Sequence, residues 1–161
     1  MSHNRIYQIN TKPISEDDYI CDSSFLDHPF VWSITDGISD NCDRSEDIVA
    51  LRSLLTRTKA AKFDDESDSF MIQQNGKEAY FAKAYEAYVT EREKTMSTSL
   101  TEFASGSRFA ESMRLMSNAF NEERGCYVSS SEGELVTLDE FIRFAEVGVR
   151  YFIGGTLDYH S

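Results

Sequence analysis

Proline and glycine are scarce, with two and eight in 161 residues, which excludes collagen-like, proline-rich and linker-dominated chains. No apolar run approaches the roughly 18 residues that a bilayer-spanning helix needs, so no membrane partner is expected. Met1-Ser2-His3-Asn4-Arg5 lacks the apolar stretch of a secretory signal, which predicts a cytoplasmic protein. Cysteine is limited to Cys21, Cys42 and Cys126. Three cannot all pair internally and none has C-x₂-C spacing, so free thiols are expected in place of a disulfide framework or a structural zinc. Positive charge is the other shortage: 16 Lys and Arg face 28 Asp and Glu, a net charge of −12. Each phosphate contact needs a cation that displaces counterions, so direct nucleic-acid binding is disfavoured.

What is present is apolar mass. Hydrophobic residues make up 40% and aromatics 12%, enough to offset the chain entropy lost on folding, and the length suits one domain over residues 1–161. The charge is uneven: residues 1–47 hold ten acids and three bases, and residues 48–62 hold four bases and no acid.

Arg5-Ile6-Tyr7-Gln8-Ile9 alternates like a strand and stops at Pro13, while Ser15-Glu16-Asp17-Asp18 resembles the capped start of a single helical turn. Phe30–Ile34 is aromatic and β-branched and predicts a strand closed by Asp36-Gly37. Asp43-Arg44-Ser45-Glu46 has capping-box spacing before Ile48, Leu51 and Leu55, with Val49 and Leu54 widening the stripe, which predicts a helix over about 44–60. Its basic C-terminal half, Arg52, Arg57, Lys59 and Lys62, suits the negative end of the helix dipole. Asp64–Asp68 is too charged to pack and reads as a loop, and Phe70–Gln74 reads as a strand.

Phe81, Tyr85 and Tyr88 share one face of a helix over 77–95, followed by a hydroxyl-rich break and a capping box at Ser99-Leu100-Thr101-Glu102. Phe109, Met113, Met116 and Phe120 recur at intervals of four, three and four and define a third amphipathic helix ending near Gly125. A hairpin is expected from Cys126–Ser129 and Leu135–Thr137, then a short helix containing Phe141 and Ile142, then a strand over Val149–Ile153 stopped by a turn or bulge at Gly154-Gly155. The expected fold is α+β: about three amphipathic helices on one face of a small, mainly antiparallel sheet, with α/β as the alternative.

The motifs exclude more than they identify. A calcium loop starting at Asp64 fails because its sixth position is Ser69, not Gly, and its twelfth is Asn75, not an acid. No nucleophile elbow, P-loop or dinucleotide fingerprint occurs. Cys21, His28, Cys42 and His160 would need tertiary convergence to bind a metal, and neither metal nor cofactor is expected. The charge balance points to an interaction or regulatory protein that docks on a basic protein partner, for example by covering the nucleic-acid site of a nuclease, restriction enzyme or toxin. The candidate docking residues are Asp36, Asp40, Asp43, Glu46, Asp47, Asp64, Asp65, Glu66 and Asp68; docking requires that the fold gather them onto one surface. Two alternatives stand beside this reading. One is a hydrolase that joins Cys126, or a carboxylate pair such as Glu132 and Glu134, to His28 or His160. The other is a homo-oligomer assembled through the aromatics from Phe81 to Tyr88.

Overall fold

In a computed structural model of the chain, residues 4–29, 37–121, 125–130 and 133–160 are described. The strand expected at Phe30–Ile34 lies outside them, as do Asp36 and Glu132. The architecture is mixed helix and sheet, with seven strands in one sheet, larger than expected. The strands are β1 (Asn4–Asn10), β2 (Gly37–Ser39), β3 (Ala61–Asp64), β4 (Ser69–Ile72), β5 (Cys126–Ser129), β6 (Leu135–Thr137) and β7 (Arg150–His160). Five α-helices lie wholly within the described residues: α1 (Arg44–Arg57), α2 (Gly76–Met96), α3 (Leu100–Ser105), α4 (Ser107–Phe120) and α5 (Leu138–Phe144). Short 3₁₀ turns cover Glu16–Asp18 and Asp22–Phe25. About three main helices were expected; the short helix expected around Phe141 and Ile142 is α5 and the turn expected at Ser15–Asp18 is Glu16–Asp18, while the Asp22–Phe25 turn and the separation of α3 from α4 at Gly106, whose φ is 79°, were not expected. No helix among the described residues is long and apolar enough to cross a membrane.

Two compact units can be described, Met1–Ala79 with Arg124–Ser161, and Tyr80–Glu123. The first holds the sheet, in the order β3-β4-β7-β1-β5-β6, with β2 also on β7. Among the described strands, β1 and β5 pair in parallel and the other pairs are antiparallel; a single parallel bridge also joins Ile72 to Val147. The central strand is β7, where the sequence predicted a shorter strand and a turn. Its N-terminal half pairs with β4, from Ser69↔Phe152 to Met71↔Arg150, and its C-terminal end pairs with β2, from Gly37↔His160 to Ser39↔Asp158. Gly154 and Gly155 therefore lie inside a strand. They are needed there because a segment of chain crosses closely over them: a Cβ at Gly155 would sit 2.9 Å from the Ile20 nitrogen and 3.0 Å from its carbonyl oxygen.

A bulge in β1 between Tyr7 and Ile9 serves the same crossing. The Gln8 side chain takes the place of a ladder partner: its Oε1 accepts from Gly155 N at 2.9 Å and Ile20 N at 3.2 Å, and its Nε2 donates to the Asp18 carbonyl at 2.9 Å. Beneath this segment, Ile6, Phe25, Leu157 and Tyr159 form a buried cluster with Ile20, Ile38, Tyr127 and Leu135 packed against it. Helix α1 buries Ile48, Leu51 and Leu55 as its spacing predicts, but Val49 is 59% exposed, so the apolar stripe is narrower than expected. It also ends earlier than expected. Lys59 adopts φ 57°, and Lys62, expected at the helix end, belongs to strand β3.

The close passage over β7 makes a sharp prediction for urea denaturation. Gly155→Ala should lose about 1–3 kcal/mol, because backbone atoms of Ile20 must move. Gly37→Ala, whose added Cβ would meet nothing within 4 Å, should stay within about 0.5 kcal/mol.

Candidate functional site

The acidic residues of the sheet-bearing unit fall into two groups. Asp64 pairs with Arg150 at 2.8 Å, Asp65 with Arg52, and Asp68 with Arg44 at 2.9 Å. The backbone N–H of Glu66, then the Ser67 hydroxyl and Arg150, hold the Asp64 carboxyl below its ordinary range, so its favourable contacts persist at neutral pH and fade as pH falls through that lowered value. Asp64, Asp65 and Glu66 line a groove of about 330 Å³ together with Lys62, Phe63 and Arg150. Its walls thus carry both signs of charge.

The second group stays open to water. Glu16, Asp17, Asp18, Asp22, Asp27, Asp40 and Glu46 are exposed and have no ion pair among the described residues. Asp43 is also exposed, with one carboxylate oxygen accepting from Ser45 N at 2.9 Å and Glu46 N at 3.3 Å as the cap of α1. Of the expected docking residues, Asp40, Asp43 and Glu46 belong here, and Glu66 is exposed at the groove. Sequence reasoning missed the acids from Glu16 to Asp27. The signal was available, since no Lys or Arg occurs between Lys12 and Arg44, but Glu16, Asp17 and Asp18 read as the start of a capped helical turn, and Asp22 and Asp27 fall in no motif.

Arg44 brings these segments together. Its Nε donates to the Gly154 carbonyl at 2.8 Å and its Nη2 to the Ile153 carbonyl at 3.0 Å, while its guanidinium lies 4.9 Å from the centre of the Tyr19 ring. Tyr19 directly follows Asp17 and Asp18, and Arg44 directly follows Asp43. One cation thus anchors the Glu16–Asp18 turn and the start of α1 to the same stretch of β7, while its Nη1 reaches Asp68.

Asp47 corrects the expectation of a docking role. It is 2% exposed, one turn inside α1, and both carboxylate oxygens are occupied. Oδ1 accepts from Arg5 Nε on β1, and Oδ2 accepts from the Thr156 hydroxyl on β7 at 2.8 Å. The Tyr7 hydroxyl donates to the Asp47 carbonyl at 3.1 Å. Burial, and after it the nearby Cys126, push the Tyr7 phenol well above its ordinary pKa, which keeps it a neutral donor. Cys42 borders this cluster, donating to the Thr156 carbonyl at 3.2 Å; burial raises its thiol pKa. Cys21 differs. Its sulfur lies 2.9 Å from the Ser23 hydroxyl and 3.5 Å from that of Ser24, and these contacts lower its pKa.

The proposed hydrolase residues lie on separate elements. Cys126 opens β5 opposite Arg5, His28 packs edge-on against Phe25 at 5.8 Å, and His160 ends β7 opposite Gly37. No three His, Cys, Asp or Glu side chains among the described residues cluster so as to hold a metal ion. No known family model, curated protein or solved structure matches the chain.

Two measurements check this geometry. In urea denaturation, Asp47→Ala should cost about 3–5 kcal/mol, because Arg5 and Thr156 lose their buried acceptor. Glu46→Ala, one residue away in solvent, should cost no more than about 0.5 kcal/mol. In timed iodoacetamide labelling near pH 7, Cys21 should react well ahead of Cys42; the reverse order would contradict the two thiol environments.

Proposed function

We propose that the chain is a non-enzymatic interaction protein that docks on a basic protein partner through the acids at Glu16–Asp18, Asp22, Asp27, Asp40, Asp43 and Glu46. The observation that carries this reading is their exposure without ion pairing among the described residues, while Asp47, Asp64, Asp65 and Asp68 each have an arginine. An exposed carboxylate that no internal cation neutralises contributes its full field to an approaching surface, which raises the association rate and rejects acidic partners. Anchoring by Arg44 and Gln8 adds a reason for specificity: the acids of the first turn enter the complex already ordered, and less entropy is lost on docking. A basic surface that handles nucleic acid is the class of partner that suits such a face. Asp36 belongs to the same acid-rich stretch by sequence, and Glu66 is a secondary contact at most.

The decisive comparison separates the location of the charge from its amount. With a lysine-rich peptide as probe, Asp17→Asn/Asp18→Asn/Glu46→Gln should weaken binding about tenfold, roughly 1.4 kcal/mol. Glu86→Gln/Glu93→Gln/Glu140→Gln removes the same charge from other exposed positions and should change it less than about twofold. Equal losses would mean that net charge, not this face, governs binding. Binding that does not weaken as salt rises would remove the proposal altogether.

A further inference from the structure

The unit Tyr80–Glu123 contains a small cavity that docking on a basic partner does not use. Its volume is about 80 Å³, and six residues line it: Lys94 near the end of α2, Ser97 and Thr98 just after, Glu102 on α3, and Arg108 and Ser112 on α4. All six are polar. An apolar void stays dry, whereas a polar one with several hydrogen-bonding groups holds water or an ion.

Ser112 is the residue that calls for an occupant. It is 5% exposed, the one buried residue of α4, and its hydroxyl makes no hydrogen bond among the described residues. A hydroxyl inside a helix can return its hydrogen to the carbonyl four residues back, as Thr90 does to Glu86 at 3.0 Å. Ser112 does not, and a buried donor needs a partner, so the cavity it borders is where that hydrogen bond can form.

The other walls show which atoms the occupant must carry. Lys94 gives one N–H to Glu91 at 2.6 Å, and Arg108 gives Nη1 to Glu102 Oε1 at 3.2 Å, which leaves further donors on both side chains. Both oxygens of the Glu102 carboxylate are engaged, because Oε2 accepts from Ser99 N at 2.9 Å and from the Ser99 hydroxyl at 3.1 Å. The site therefore suits a cation poorly. Ser97 and Thr98 both donate to the Lys94 carbonyl, at 3.0 and 3.1 Å, so their oxygens present lone pairs. Surplus donors call for an oxyanion, and the two hydroxyl acceptors call for one that still carries a proton.

We propose that this cavity is a binding site for inorganic phosphate. Monohydrogen phosphate offers bare oxygens to Lys94, Arg108 and Ser112 and its P–OH to the oxygen of Ser97 or Thr98. At about 30 Å³ per water, the cavity equals two or three waters, room for one tetrahedral ion and too little for a nucleotide or a peptide. Glu91 and Glu102 already balance the two cations, so hydrogen bonding sets the affinity and the dissociation constant falls near about 1 mM. Sulfate matches the charge and shape but has no proton to give. It leaves the hydroxyl acceptors facing its own oxygens and binds less well.

An NMR titration of the intact, nitrogen-15-labelled chain with sodium phosphate, near pH 8 and at constant ionic strength, tests the site. Saturable shifts centred on the amides of Ser97, Thr98 and Ser112 are expected, with sulfate at least about threefold weaker. Ser112→Ala, which raises helix propensity, should weaken phosphate binding at least about fivefold, and Lys94→Gln by a similar factor. Lys83→Gln, at an exposed position elsewhere on α2, removes the same charge as Lys94→Gln and should change binding less than about twofold. Should Ser112→Ala disturb the spectrum beyond its neighbours, Lys94→Gln provides the reading. Phosphoserine, which needs space beyond the ion, should bind more weakly than free phosphate. Shifts that fail to saturate by about 20 mM, sulfate or phosphoserine binding as tightly as phosphate, or an affinity indifferent to the Ser112 and Lys94 substitutions would overturn the proposal.

Discussion

A carboxylate almost wholly removed from water must find its hydrogen-bond partners within the protein, and Asp47 places that demand on three elements at once. It holds Arg5 of β1 and Thr156 of β7 from the first turns of α1, and Tyr7 reaches its backbone carbonyl. Because Arg5 stands opposite both Asp158 of β7 and Cys126 of β5, the rotation and height of α1 over the sheet are tied to the register of three strands. A shift of one residue would turn Asp47 or Arg5 away from its counterpart and leave a buried charge without compensation, which is far costlier than a lost surface contact.

That constraint also positions the exposed acids. With α1 set over the sheet, Arg44 at its start is held against the middle of β7, where it meets the carbonyls of Ile153 and Gly154 and the Tyr19 ring. The missing side chains at Gly154 and Gly155 let the segment through Ile20 lie directly on the strand, and Gln8 ties it down from the bulge. Asp64, Asp65 and Asp68 are each paired with an arginine. The exposed acids of the Glu16–Asp18 turn and of the start of α1 have no such pairing among the described residues.

Much of the local structure was legible from residue patterns. Capping at Asp43, Ser99 and Thr137 marks three helix starts, each with a side-chain oxygen accepting a backbone N–H, because a cap is satisfied by neighbours within one turn. The hairpin of β5 and β6 and the strand nature of β1 and β4 follow from alternation and turn residues. The central strand β7 was not legible at full length, since Gly154-Gly155 reads as a stop in isolation and becomes a strand only when another segment needs the space above it. The same limit applied to Asp47. By spacing it is one more acid in the first turn of a helix, and nothing local distinguishes it from Glu46; their exposures diverge only through Arg5, 42 residues away, and Thr156, 109 residues away.

The chain's own order of residues settles its charge imbalance, its helix caps and the periodicity of its amphipathic segments, all of which depend on composition or on neighbours a few positions apart. Which carboxylates are neutralised, which glycines belong inside a strand and which apolar side chains, such as Val49, stay exposed are decided by tertiary structure, because each depends on groups that only the folded chain brings within a few ångströms.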